Sequence, residues 1–238
     1  MMKAVILAGG KGTRLRPYTA VLPKPLMPLG DFPVIEVIIR QLAHAGYRDI
    51  ILSVGYLSEL VRSYCGDGAR WGVTITYSHE ESPLSTIAPL RLVGEQLTET
   101  FLVMNGDVLC DLDFHAFESF HRTKGGLATV ATCRRQATID FGVIHTDPDG
   151  RIVNFLEKPQ YDYFVSMGIN MFEPQILQYI PDHGRPFGFD DLLHLLTRNH
   201  APLYTYPHTG SWLDIGRPED YERAVGEFGE RWERLLRA

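Results

Sequence analysis

The apolar positions of the chain fall into two periods. Residues 4–8 (AVILA), 49–55 (DIILSVG), 73–77 and 101–104 are short apolar runs bounded by turn residues. Such runs predict strands buried on both faces of a parallel sheet. Between them, apolar residues recur every three or four positions. Val34, Val37, Ile38, Leu42 and Ala45 predict a helix over 33–46, with Gly46 as its stop. Further helices are predicted at 58–65 and 90–97. Strand and helix alternate in this way up to about residue 110, which argues an α/β sheet with helices on both faces. Beyond residue 127 the strands come closer together, at 128–133, 141–146 and 152–157. Asp147-Pro148-Asp149-Gly150 separates the last two and predicts a hairpin turn. Helices at 175–180 and 190–198, a strand at 204–207 and a closing helix at 218–237 complete the reading. No repeat, linker or low-complexity tract divides the chain. One domain over 1–238 is expected, its halves 1–126 and 127–238 sharing a continuous sheet.

Composition narrows the function classes. Hydrophobic residues make up 45% and charged residues 22% of the 238, the profile of a soluble globular protein. A net charge of −6 argues against a nucleic-acid partner, so any important cations must be gathered locally. The three cysteines, Cys65, Cys110 and Cys133, form no C-x-x-C pair and read as small buried apolar residues. No signal-peptide pattern and no apolar segment of membrane-spanning length is seen. A cytoplasmic, reducing setting without a membrane partner is therefore the expectation.

The chemistry begins where the first strand ends. Gly9, Gly10 and Gly12 let the backbone turn sharply and bring its N–H groups close to a bound anion. Thr13, Arg14 and Arg16 follow at once, and Lys24 stands between Pro23 and Pro25. Guanidinium groups bind phosphate oxygens bidentately and stay charged at any working pH. Together these residues describe a polyphosphate site. An ordinary strand-to-helix turn with surface arginines is the plainer alternative, but it leaves the crowding of cations behind the glycines unexplained. Two common glycine motifs do not fit. G-x-x-x-x-G-K-[ST] matches no window, and G-x-G-x-x-G begun at Gly10 ends on Leu15, which disfavours a dinucleotide-dependent oxidoreductase.

The strand at 101–104 runs into Asn105-Gly106-Asp107. Ligands of open α/β sheets lie outside the carboxyl ends of the strands, so Asp107 and the glycine loop are expected on one edge. A carboxylate beside a polyphosphate suits Mg²⁺, which is usually held by one or two carboxylates plus phosphate oxygens. Asp214, within Gly210-Ser211-Trp212-Leu213-Asp214-Ile215-Gly216, is the second candidate acid. Helix capping by Asp107 and a turn role for Asp214 are the plain structural alternatives.

L-A-G-G-x-G-T-R-L over residues 7–15, followed by P-K-P at 23–25, resembles the signature of the sugar-1-phosphate nucleotidyltransferases, or NDP-sugar pyrophosphorylases. The resemblance extends from Lys3 to about Tyr221. It implies a Rossmann-like, mixed but mostly parallel sheet flanked by helices, with a nucleotide-binding half at 1–126 and a sugar-phosphate-binding half at 127–238. It implies that Leu7, Ala8, Gly9, Gly10, Gly12, Thr13, Arg14, Lys24, Glu80, Ser85 and Gly106 meet a nucleoside triphosphate. Arg14, Lys24 and Asp107 would be catalytic, and Asp107 and Asp214 would hold Mg²⁺. Phe155-Leu156-Glu157-Lys158-Pro159 resembles the family's F-x-E-K-P, in which the lysine meets the sugar phosphate and the glutamate meets sugar hydroxyls. Phe141-Gly142-Val143 resembles its Y-G-V, and Ser166-Met167-Gly168 stands where relatives carry N-x-G before a late strand. The candidate sugar-phosphate residues are therefore Gly142, Glu157, Lys158, Ser166 and Gly168. Asn170 replaces a tyrosine of the family pattern, and Ser85 replaces the glycine of P-L-G-T-A-G.

Among subfamilies, Ser78-His79-Glu80-Glu81-Ser82-Pro83-Leu84 and Asp107-Val108-Leu109-Cys110-Asp111 most resemble mannose-1-phosphate guanylyltransferases. Guanine offers two adjacent donors, N1–H and the 2-amino group, which the carboxylate of Glu80 or Glu81 would accept bidentately; the same carboxylate could take a single hydrogen bond from the amino group of adenine or cytosine. GTP, a mannose-like sugar 1-phosphate, Mg²⁺ and a homo-oligomer follow as expectations. A non-catalytic nucleotide-sugar-binding regulator on the same fold is the other reading. It is disfavoured because Arg14, Lys24 and both acids are all present.

Overall fold

The computed structural model describes residues 2–182 and 184–229. The first half contains β1 (Lys3–Ala8), the two-residue strands β2 (Pro28–Leu29) and β3 (Phe32–Pro33), α1 (Val34–His44), β4 (Asp49–Val54), α2 (Ser58–Cys65) and β5 (Thr74–His79). It continues through β6 (Phe101–Asn105), β7 (Val108–Cys110) and α3 (Phe114–Lys124). The second half contains β8 (Ala128–Thr138), β9 (Val143–Thr146), β10 (Ile152–Leu156), β11 (Gln160–Phe172), α4 (Phe189–Arg198), β12 (Leu203–His208), β13 (Trp212–Asp214) and α5 (Pro218–Glu227). The part of the predicted closing helix beyond residue 229 lies outside the described residues.

One seven-stranded sheet runs through both halves in the order β12-β8-β11-β6-β1-β4-β5. Within it β11 alone runs antiparallel to its neighbours β6 and β8. The chain leaves β1 for β4 and β5 on one side, then returns to lay β6 on the other. Such a switch in direction leaves a crevice at the carboxyl ends of the central strands.

Side-chain alternation explains the two layers that cover the sheet. Ala4, Ile6 and Ala8 of β1 pack with Ile50, Leu52 and Val54 of β4 against α1 and α3. The intervening Val5 and Ile51 face a second core made with Leu90, Ile176, Leu192 and Leu196. Successive strand residues point to opposite faces, so a strand covered on both sides must be apolar throughout. Ile6, Ile35 and Phe117 are wholly buried, and truncating such a residue to alanine costs about 2–5 kcal/mol.

Several elements depart from the sequence reading. Residues 88–96 and 174–179 form 3₁₀ turns, not α-helices. Pro89 and Pro174 stand in the first turn of their segments without an N–H, and Leu90 and Val93 bury a face at the three-residue spacing of that geometry. Helix α3 was not anticipated. Asp113 caps it by accepting from Ala116 N at 2.9 Å, and its buried stripe is Phe114, Phe117 and His121. The longest strand, β11, was not anticipated either: its first seven residues are not buried and break the apolar pattern with Asp162 and Ser166. The hairpin of β9 and β10 forms as expected. The Asp147 carboxylate accepts from Asp149 N and Arg151 N within its turn. All three cysteines are buried and unpaired, and burial pushes the Cys110 thiol up to about 12.

Candidate active site

Two adjacent parallel strands set the site. Leu7 of β1 lies opposite Asn105 of β6, and Gly106 N donates to Leu7 O at 2.9 Å. The glycine loop and the Asn105-Gly106-Asp107 turn therefore leave the sheet side by side, on the edge that the strand reading predicts. Gly106 is required by this approach, since a Cβ there would lie 3.0 Å from the Leu7 carbonyl. Gly12 is required by its left-handed φ of 58°; Thr19 closes the loop by donating its hydroxyl to Gly12 O at 2.7 Å.

These turns open onto a cleft of about 790 Å³. The structure brings to its walls every predicted nucleotide residue: Leu7, Ala8, Gly9, Gly10, Gly12, Thr13, Arg14, Lys24, Glu80, Ser85 and Gly106. Asp107 and Asp214 line it too. Lys24, on a single 3₁₀ turn held between prolines, makes an ion pair with Asp107.

A short antiparallel ladder holds the two acids together. β13 pairs with β7 so that Asp214 lies opposite Val108, and Ile215 N donates to Asp107 O at 3.0 Å. Asp111 reinforces the other end of that ladder. Its Oδ1 accepts from Ser211 N at 2.6 Å and lies 3.0 Å from His208 Nε2. Burial pushes the Asp214 carboxyl above its ordinary range and the Asp107 charge adds to the effect; Lys24 and Arg14 pull it back. Asp107 Oδ1 is buried without a hydrogen-bond partner. Two hard oxygen donors that destabilise one another, one with an orphaned atom, fit a divalent cation such as Mg²⁺. Among the described residues no third His, Cys, Asp or Glu joins them. Any remaining ligands would be phosphate or water oxygens, the usual habit of Mg²⁺.

Glu80 sits on the far wall, just after β5. Ser53 Oγ donates to its Oε1 and Leu84 N to its Oε2, each at 3.1 Å. Burial raises its pKa, partly offset by the Leu84 N–H and the Ser53 hydroxyl. Glu80 is thus a brace for the loop 81–85, while Glu81 is exposed on the wall. The same loop is stapled to residues 187–189 by Ile87 N and Ala88 N on Phe187 O, and by Phe189 N on Thr86 Oγ1 at 2.9 Å. Ser85, at φ 69°, holds a left-handed conformation that serine rarely adopts.

The sugar-side candidates are placed differently. None of Gly142, Glu157, Lys158, Ser166 and Gly168 lines the cleft itself. Ser166 and Gly168 lie within β11, not before a strand, at an irregularity between Ser166 and Asn170. Gly168 abuts Asn105, where a Cβ would come within 2.5 Å of the Asn105 amide nitrogen. Trp212 Nε1 donates to Met167 O at 2.9 Å, tying this bulge to the strand that carries Asp214. Gly142 and Glu157 adjoin one another near the Phe155 ring, and Glu157 and Lys158 are exposed beside the β9–β10 hairpin. Asn105 and Asp111 were not singled out from the sequence. Asn105 stands inside the Asn-Gly-Asp turn and Asp111 closes the segment Asp107-Val108-Leu109-Cys110-Asp111, but the role of Asp111 depends on a partner 100 residues away.

Comparison with known proteins agrees with this geometry. A family description for nucleotidyl transferases matches residues 3–230. The chain is 39% identical to the mannose-1-phosphate guanylyltransferase catalytic subunit beta of Danio rerio, covering 92% of this chain. It is 37% identical to the UTP–glucose-1-phosphate uridylyltransferase of Synechocystis, covering 94%. It spans 62% of the length of each of these relatives. The structure of HddC from Yersinia pseudotuberculosis superposes with a TM-score of 0.75 at 25% identity, over 96% of this chain and all of that one. With a glycine loop, a lysine and two acids gathered on one sheet edge, a family match over nearly every residue places this chain in the nucleotidyl transferase family.

Proposed function

We propose that the protein joins a nucleoside triphosphate to a sugar 1-phosphate, forming an NDP-sugar and releasing pyrophosphate. The observation that carries this reading is the convergence of the glycine loop, Arg14, Lys24, Asp107 and Asp214 on one cleft. In this reading a phosphate oxygen of the sugar 1-phosphate attacks the α-phosphorus in line, and the bond to the pyrophosphate oxygen breaks. Such chemistry needs positioning and charge neutralisation more than covalent help from the protein. Arg14 holds the triphosphate tail and the departing pyrophosphate. Lys24 turns from Asp107 toward the α-phosphate, where its charge is needed as negative charge builds. Asp107 and Asp214 would hold Mg²⁺, which when bound supplies charge neutralisation at the phosphate oxygens. Lys158 and Glu157 would meet the sugar phosphate and sugar hydroxyls; both are exposed beside the β9–β10 hairpin, outside the walls of the cleft.

The partner substrates we favour are GTP and mannose 1-phosphate or a related sugar. The two relatives above are named for different bases, guanine and uracil. Support for guanine rests on Glu81, exposed on the wall, and on the acceptor capacity a carboxylate such as Glu80 retains beyond two hydrogen bonds. A matrix of triphosphates against sugar 1-phosphates, read by pyrophosphate release with Mg²⁺, tests both levels. No release from any pair sinks the reaction; a preference for UTP or TTP sinks the carboxylate argument, and a preference for CTP or ATP leaves that argument standing while overturning the guanine assignment.

A further inference from the structure

A second depression lies at the opposite edge of the sheet. It occupies about 550 Å³ between the end of α1 and the segments that lead into β4 and β5. Its walls include Arg40, His44, Arg48, Arg70 and Trp71. Small-molecule sites commonly have volumes of about 300–1,000 Å³. We propose that this depression is a second anion site, taking a phosphorylated small molecule and separate from the substrate cleft.

Each guanidinium is oriented in advance. Arg40 Nε donates to Glu36 Oε1 at 2.8 Å, and the group lies 4.8 Å over the Phe32 ring. Arg70 lies against Trp71 and Tyr64, at 3.9 and 4.5 Å from their ring centres, and donates to Tyr64 O at 2.7 Å. Arg48 donates to the carbonyls of Ala43 and Tyr47 at the end of α1. A guanidinium carries five N–H donors, so these contacts fix each plane and leave donors for an anion. Groups already held in place lose little further freedom on binding.

The charges are unbalanced in the same direction. Glu36 is the acid paired with Arg40 and Arg70, and it is 5% exposed, beneath them. Burial alone would favour its neutral form, but hydrogen bonds from Tyr64 and Arg40 prevail and hold its pKa below the usual value. Three arginines facing one ionised acid leave a local surplus of cations in a chain of net charge −6. Phosphate carries more charge than a carboxylate and accepts guanidinium bidentately, so it matches this surplus better.

The site is remote from the cleft. Arg48 immediately precedes β4, whose far end carries Ser53, the partner of Glu80. Six strand residues span roughly 20 Å at about 3.3 Å each. Occupancy would therefore not block the substrate cleft directly.

Calorimetric titration with inorganic pyrophosphate at low ionic strength tests the proposal. The unmodified protein should show two sites. Arg14→Ala combined with Lys24→Ala should remove the cleft site alone. Arg48→Gln combined with Arg70→Gln should weaken the other at least tenfold, with circular dichroism and melting temperature verifying the fold. Should that pair melt early, Arg48→Gln alone, at an exposed position, serves instead. One site that disappears with Arg14 and Lys24, or a second site indifferent to Arg48 and Arg70, overturns the proposal. Absence of pyrophosphate binding overturns it as well. A single site that depends on Arg48 and Arg70 sustains it while counting against the substrate reading of the cleft.

Discussion

Replacing Asp107 by asparagine separates the chemical role of this residue from its structural one. Asparagine keeps the shape and removes the charge. The structure then predicts two opposing effects on stability. The partly buried Lys24 loses its ion-pair partner, and a charge-assisted hydrogen bond is worth about 1.5–3 kcal/mol. Repulsion between Asp107 and Asp214 is relieved at the same time, which offsets part of that loss. A net destabilisation of about 1–2 kcal/mol should lower the melting temperature by roughly 2–8 °C in a domain of this size. A domain stable by about 5–15 kcal/mol remains folded after such a loss. Turnover should fall by about a hundredfold or more, equivalent to roughly 2.7 kcal/mol of transition-state stabilisation. Three readouts apply: pyrophosphate release, the melting temperature, and Mn²⁺ binding followed by electron paramagnetic resonance. Carbon-13 resonances should also show Asp214 titrating nearer its ordinary range, though still above it, because burial is the larger cause. A folded variant within about threefold of the parent turnover, at saturating triphosphate and ordinary Mg²⁺, would refute the assignment. Unchanged Mn²⁺ affinity would refute it independently.

Three further outcomes follow from the geometry. Ser85→Gly removes a left-handed serine costing about 1–2 kcal/mol but loosens the unfolded chain by up to about 1 kcal/mol; denaturant unfolding should show a net gain of up to about 1 kcal/mol, and a loss of that size would count against the strain. Asp111→Leu leaves Ser211 N–H without its acceptor and the His208 ring with only the longer contact to Ser211 O; it should cost about 2–4 kcal/mol and raise the Mn²⁺ concentration needed for half-occupancy, whereas lost stability with unaltered Mn²⁺ binding would make Asp111 a purely structural residue. His121 is buried between Thr129 and Glu173, and burial lowers its pKa despite Glu173, so the unfolded chain takes up a proton that the fold resists. Its contribution is complete above the ordinary histidine range and lost as pH falls from about 6.5 toward the lower folded value; urea unfolding between pH 7.5 and 5.5 should show that slope, and His121→Gln should flatten it.

What the sequence determined by itself is the set of features governed by neighbours along the chain. Doubly covered strands must be apolar at successive positions, so β1, β4 and β6 were legible as short runs. A glycine loop with cations immediately behind it is likewise local. With the carboxyl-edge rule for open sheets, it sufficed to put Asp107 beside Gly9–Arg14. Helix α3 was missed because its buried stripe is two phenylalanines and a histidine rather than a run of aliphatics. Strand β11 was missed because half its length pairs with β8 without burying either face.

Tertiary structure alone decided the arrangements that depend on distant partners. The closeness of Asp214 to Asp107 comes from the β7–β13 ladder and from Asp111; each segment carries a motif of its own, but nothing in either says that they pair across some 100 residues. The same holds for Glu80. Its sequence shows an acceptor suited to a base, and the fold shows both oxygens already bonded to Ser53 and Leu84. The cationic depression around Arg48 also has no linear motif, since its arginines come from residues 40, 48 and 70. Periodicity and turn chemistry act over a few residues and can be read in order. A carboxylate's charge, partners and burial are set by whatever the folded chain brings beside it.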